Sequence, residues 1–261
     1  MRIALGLRYR GLAYLGWQSQ PSGRTVQDRL EAALARFIGA QVRVACAGRT
    51  DAGVHALQQV AHFDSPVVRE PFSWVRGVNA FLPPDIAVRW AQEVGAEFHA
   101  QKSAQSRRYR YVLYQAAVRP ALLHGLVGWT HLPLDAEAMR ASAALLLGTH
   151  DFSAFRASSC QARTPVKTLL AVDVARQGDM WTIDFEANAF LHHMVRNIMG
   201  CLIAVGSGAR DQHWLQQVLL SRSRNLAAPT FMPDGLYFLG PRYPSQWGLP
   251  EPAEDRPILL T

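Results

Sequence analysis

The sequence predicts a mixed α+β fold of two tandem ferredoxin-like βαββαβ subdomains, whose strands form a central, mostly antiparallel sheet flanked by helices and carry a basic cleft. Three observations lead there. The order strand, helix, strand, strand, helix, strand can be read twice along the chain. The 261 residues are 49% apolar, enough for one large core or two small ones. The positive charge gathers in the first half. The expected boundaries are 1–104 for the first subdomain, 105–245 for the second and 246–261 for a tail, with a Pro- and acid-rich surface stretch already starting near Tyr243.

Each element has a local cause. Ile3, Leu5, Leu7 and Tyr9 alternate, which fits a strand with one apolar face. Thr25 caps a helix with Asp28 as its capping-box partner; Val26, Leu30, Leu34, Phe37 and Ile38 form its buried stripe, and Gly39 ends it. Val42, Val44 and Cys46 alternate as a strand, and residues 57–63 form the next. Pro71 opens a helix carrying Phe72, Val75, Val78 and Phe81; Pro83-Pro84 stops it, and residues 86–93 return as a strand. In the second half, residues 107–115 are a strand and Asp135 starts a helix ending near Gly148. Residues 167–175 and 180–186 are strands. Leu191, Val195, Ile198 and Leu202 mark a helix ending at Gly206-Ser207-Gly208. Trp214, Leu215, Val218 and Leu219 mark another, before a short strand at 236–239.

Composition excludes several classes. No apolar run approaches the ~20 residues of a membrane span, and the N-terminus does not read as a signal peptide. Cys46, Cys160 and Cys201 are too few and too far apart for a disulfide framework or a CxxC zinc site, which suits a reducing cytoplasm. No phosphate-binding glycine loop is present, and the nine histidines show no metal-type spacing. His192 and His193, read as helical, would point ~100° apart and could not chelate one ion. Residues 1–130 hold 16 basic and 8 acidic side chains, and residues 131–261 hold 11 and 12. A basic half suits a polyanionic partner. All but two of the 27 basic residues are arginines, whose planar fork fits phosphate; a GC-rich genome accounts for that preference equally well.

Three segments carry candidate chemistry. Gly48-Arg49-Thr50-Asp51-Ala52-Gly53 lies between two strands. A carboxylate beside an arginine stays ionised, and Asp51 could then serve as nucleophile or general base. Asp and Gly are also ordinary turn residues, and on spacing alone that plainer reading is the stronger. Arg107-Arg108-Tyr109-Arg110-Tyr111 interleaves guanidiniums with rings on a strand, which suits base stacking beside phosphates, or equally a core strand with a wet edge. Phe190 to Asn197 opens a helix on which Arg196 could meet phosphate or a loop carboxylate.

These segments, with Tyr14-Leu15-Gly16-Trp17-Gln18, Thr25-Val26-Gln27, Asn79 to Pro83, Phe98-His99-Ala100, His150 to Phe155 and Pro233-Asp234-Gly235-Leu236, are ordered nearly end to end. In this the chain resembles the bacterial tRNA pseudouridine synthase A family. The resemblance implies an isomerase that converts uridine to pseudouridine at positions 38 to 40 of the tRNA anticodon stem-loop. It implies no metal, no organic cofactor and a homodimer with two RNA clefts. It makes Asp51 the group that acts on the sugar. Arg49 would aim Asp51 and enter the space left by the nucleotide, Tyr109 would stack on the uracil, Leu236 would form an apolar wall, and Arg196 would contact RNA. Four positions depart from the family pattern: Arg10 stands for an acid, Gln58 for a glycine, Gln101 for an arginine and Lys102 for an aromatic. Two rivals share some of these features. A non-catalytic RNA-binding protein needs no carboxylate beside RNA, and a glycoside hydrolase needs a partner carboxylate, for which Asp151 is the only candidate and reads as a turn residue.

Overall fold

The computed structural model describes residues 1–250. They hold ten strands and five α-helices and divide into two compact units. One is Met1–Arg107 with the described residues from Phe238 onward; the other is Arg108–Tyr237. The mixed α+β class is therefore as expected, while the division differs: the chain's end belongs with its beginning.

The first unit runs β1 (Arg2–Tyr9), α1 (Val26–Ile38), β2 (Ala45–Cys46), β3 (His55–Asp64), α2 (Pro71–Asn79) and β4 (Ile86–Val94). β1 lies between β3 and β4, antiparallel to both, with Ile3 opposite Phe63 and Leu5 opposite Ala61. Thr25 caps α1 by accepting from the Asp28 N–H at 3.2 Å, and Gly39 ends it at φ 81°. β2 is only two residues long and does not begin at Val42. The reason is that the Val44 N–H donates to the buried Glu31 carboxylate at 3.0 Å, so a side chain of α1 takes the place of a strand neighbour. The inner face of α2 also differs from a stripe of Phe72, Val75, Val78 and Phe81. Trp74 is fully buried, 5.4 Å from both Phe37 and Phe63, and turns Phe72 outward; Phe81 lies beyond the helix end.

β1 is covered on both faces, not one. Beneath Ala4 and Val60 sits a second cluster with Ala47, Phe98 and Ala100, against which Tyr243, Trp247 and Leu249 pack. Tyr243 and Trp247 lie 5.3 and 5.1 Å from the Phe98 ring, and the Tyr243 hydroxyl donates to the Ala100 carbonyl at 2.6 Å. The stretch from Tyr243 is thus no loose surface segment. Its three large apolar side chains bury despite the surrounding prolines. The rest of the expected tail, residues 251–261, lies outside the described residues.

The second unit takes up β5 (Ser106–Gln115) from Arg108. It continues through β6 (Gly128–Thr130), α3 (Ala136–Ala144), β7 (Gly148–Asp151), β8 (Val166–Gln177), β9 (Met180–Ala187), α4 (Met194–Gly206) and α5 (Gln212–Ser221), and leaves within β10 (Leu236–Arg242) at Tyr237. β7, β8 and β9 pair antiparallel, β9 neighbours β5, and β6 adds a short parallel pairing to β5. α3 stops well before Gly148, which opens β7 instead at φ 96°. Met139 of α3 is fully buried against α4, where a side chain at Gly206 would meet its Cγ at 2.7 Å. Asn197 anchors the core of this unit. It is fully buried, donates to the Phe155 carbonyl at 2.8 Å, and accepts from Arg224 and from the Thr230 hydroxyl at 2.6 Å.

His62 of β3 is buried beside the second cluster, its ring 4.8 Å from His99, and its Nδ1 accepts from the Ala100 N–H. Burial first, then His99 and Arg2, push its pKa down to about 4, against a weaker upward pull from Asp64. An unfolded histidine binds its proton near pH 6.5, so stability is lost as pH falls from there through about 4. The urea midpoint should drop between pH 7.5 and 4.5, and the drop should be smaller in His62→Gln.

Candidate active site

In the first unit, the Gly48–Gly53 loop joins β2 to β3 and is held by backbone contacts on several sides. The Trp17 N–H donates to the Thr50 carbonyl at 2.9 Å, and the Gly53 N–H to that of Tyr14 at 3.4 Å. Gly16 (φ 89°) sits so close that a Cβ there would lie 2.6 Å from the Thr50 oxygen, which only glycine permits. Gln59 donates to the Gly48 carbonyl at 2.6 Å, and the buried hydroxyls of Thr50 and Tyr9 are 2.8 Å apart. At the loop's far end the Gly11 N–H donates to Nδ1 of buried His55 at 3.0 Å. Asp51 is half-buried in this frame, and the Val54 N–H donates to its carbonyl at 3.2 Å.

Arg49 is exposed and makes no ion pair among the described residues. The backbone hydrogen bonds and Gly16 fix the loop. A further clamp comes from Arg107, whose guanidinium donates to the carbonyls of Ala47, Ala104 and Gln101, tying the loop's entry to the turn after Phe98-His99-Ala100. Arg107 thus has an internal task within the first unit, which the alternation of the strand did not reveal.

The second unit holds Tyr109, Arg196 and Leu236. Tyr109 is 8% exposed on β5, and Phe190 meets it edge to face at 5.0 Å. Its neighbours on the strand are tied internally. Arg110 forms a two-pronged pair with Asp184, both bonds 2.6 Å, and Tyr111 is fully buried with its hydroxyl on the Met232 carbonyl. Arg196 lies in the first turn of α4, half-buried, with Nε on the Phe231 carbonyl at 2.8 Å. Leu236 is buried at the start of β10. His192 and His193 precede α4 instead of lying on it. His193 takes φ 62°, and the two rings come within 4.0 Å. The argument that a helix holds them apart therefore fails. Asp151 is not the turn residue expected: it ends β7, and its carboxylate accepts from the Ser153 N–H at 2.9 Å.

The two units therefore present an α+β scaffold with a rigidly framed carboxylate loop in one and an aromatic-guanidinium group in the other. The model of a family described as tRNA pseudouridine synthase matches residues 7–101 and 142–244. The chain is 62% identical over 257 residues to a tRNA pseudouridine synthase A of Variovorax paradoxus (strain S110), covering 97% of this chain and 95% of that one. It is also 62% identical over 257 residues to that of Methylibium petroleiphilum, covering 98% and 99%. Among solved structures it is similar to an H/ACA RNP bound to a substrate RNA containing 2′-deoxyuridine, at TM-score 0.35 and 11% identity over 77% of this chain and 44% of that one; a likeness of this degree carries no conclusion. The chain belongs to the tRNA pseudouridine synthase family, a family of isomerases.

Beside His192, the Cys160 thiol has an unusual setting. Partial burial raises its pKa, but the N–H groups of Ala162 and His192 and the Arg156 guanidinium outweigh this and bring it below the ordinary value. Burial pushes Cys46 up to about 12 and Cys201 up to about 11. The thiolate is the reactive form, so iodoacetamide at pH 7 should label Cys160 well before the other two, as read by peptide mass mapping.

Proposed function

We propose that this chain isomerises uridine to pseudouridine at positions 38 to 40 of the tRNA anticodon stem-loop, with Asp51 as the group that acts on the sugar. The observation that carries the reading is family membership, with matched residues that include the whole Gly48–Gly53 loop. In this reaction the C1′–N1 bond breaks, the uracil turns, a C1′–C5 bond forms, and the proton on C5 leaves as N1 gains one. Atoms are conserved, so the proposal needs no metal and no organic cofactor. It needs a carboxylate facing positive charge as it develops at the anomeric carbon, as in glycosidases. A carboxylate held half-buried by backbone hydrogen bonds suits that task, because its position costs little reorganisation when the bond breaks.

The remaining roles follow the chemistry of each side chain. Arg49, exposed and with no ion pair among the described residues, suits the vacancy left by an extruded nucleotide. Tyr109, set edge to face with Phe190, offers an aromatic ring for stacking on uracil. Leu236 supplies apolar wall and Arg196 a guanidinium for RNA. Extruding the base costs about a few kcal/mol, which phosphate contacts by basic residues offset. The partner is tRNA and the assembly a homodimer. No helix among the described residues is long and apolar enough to cross a membrane, and three free thiols suit a reducing cytoplasm.

Asp51→Asn should keep tRNA affinity within about a few-fold and abolish product. Tritium release from tRNA labelled at uridine C5 measures it, and turnover by this variant would refute the assignment. Tyr109→Phe should retain partial activity, because stacking needs only the ring. Complete loss with normal folding would shift the role to the hydroxyl.

A further inference from the structure

The first unit has a concavity of about 630 Å³ that the chemistry above leaves unused. Arg29 and Arg36 of α1 and Arg24 just before it line one side, and Phe81 and Asp85 line the other, with Tyr14 between. Arg29 and Arg36 are seven residues apart and so share a helix face. All three arginines are exposed, and none forms an ion pair among the described residues. Arg36 lies over the Phe81 ring at 4.4 Å, which orients its guanidinium plane. The single carboxylate, Asp85, accepts from the Tyr14 hydroxyl at 2.5 Å. One negative charge therefore faces three positive ones.

Such a concavity is too polar and too cationic for an apolar ligand, and guanidinium forks without ion pairs match phosphate oxygens. It is also mechanically joined to the Asp51 loop. The Tyr14 residue that lines it accepts from Gly53 through its carbonyl, the Leu15 N–H donates to the Arg24 carbonyl at 2.9 Å, and Gly16 packs on Thr50. We propose that this concavity holds the sugar–phosphate backbone of the RNA substrate away from the target nucleotide, with Arg24, Arg29 and Arg36 as its phosphate contacts. The inference rests on the tRNA reading and extends it to a second point of attachment, one that grips the strand while the Asp51 loop acts on a single residue.

The test is equilibrium binding of unmodified tRNA transcript to the full chain by fluorescence anisotropy, between about 50 and 200 mM salt. The exposed pair Arg24→Ala/Arg36→Ala should bind about 10-fold more weakly. The slope of log affinity on log salt should become shallower by roughly 2, since each lost phosphate contact removes about 0.9. Arg24→Lys/Arg36→Lys should restore most of the slope. Wild-type affinity and slope in the alanine pair would overturn the proposal, and so would weaker binding with an unchanged slope. Pyrophosphate binding at micromolar concentration to the wild type but not to the alanine pair, with tRNA affinity and slope unchanged in that pair, would also overturn it, in favour of a small phosphate ligand. Product formation is scored separately on the wild type: no pseudouridine from it, with the predicted slope change in the alanine pair, would sink the isomerase reading and leave this one standing.

Discussion

The approach of Gly16 to the Thr50 carbonyl governs the first unit's chemistry. Two stretches of backbone meet there with no room for a Cβ, and the Trp17–Thr50 and Gly53–Tyr14 hydrogen bonds close the contact on either side. Around it, Gln59 and Arg107 donate to the Gly48 and Ala47 carbonyls, and the Tyr9 hydroxyl bonds that of Thr50. Each such bond contributes about 1 kcal/mol net, and a buried group left without its partner costs more. The loop is therefore held firmly at the end of β3, and its main-chain geometry sets where Asp51 sits.

The arginines sort into two populations that composition cannot separate. Arg107, Arg110, Arg156 and Arg224 donate to carbonyls or carboxylates inside their own units and act as struts. Arg24, Arg29, Arg36 and Arg49 are exposed and form no ion pair among the described residues. The second group presents its guanidiniums to solvent, where each phosphate that they neutralise releases counterions condensed on a polyanion. The excess of positive charge in the first half is thus meaningful, but the residues responsible differ from those that the Arg-Tyr strand suggested.

Much of this was legible in the residues wherever the cause was local. Thr25 with Asp28, and Gly39 after Ile38, set the ends of α1 as capping chemistry predicts, and alternation located β1, β3, β5, β8 and β9. The sequence also singled out the Gly48–Gly53 loop and the family motifs in order. What escaped depended on partners distant along the chain. Glu31 replaced a strand pairing at Val44, Trp74 outcompeted Phe72 for the core, and Trp247 found Phe98 across some 150 residues. His192 and His193 carry a helical pattern in letters, yet the left-handed turn at His193 starts α4 one residue later.

The division of the chain has a consequence for how the molecule is made. Arg108–Tyr237 is continuous, whereas the first unit requires Met1–Arg107 and the segment after Phe238 together. During synthesis the inner segment can complete its own core while the outer one still lacks the aromatic lid of Tyr243 and Trp247 over Phe98. The lower face of β1 and the Ala47 end of the Asp51 loop then stay open to water until Tyr243–Leu249 has left the ribosome. Maturation of the carboxylate loop is in this way a late step, and loss of a short stretch at Tyr243–Leu249 would be felt more than two hundred residues upstream.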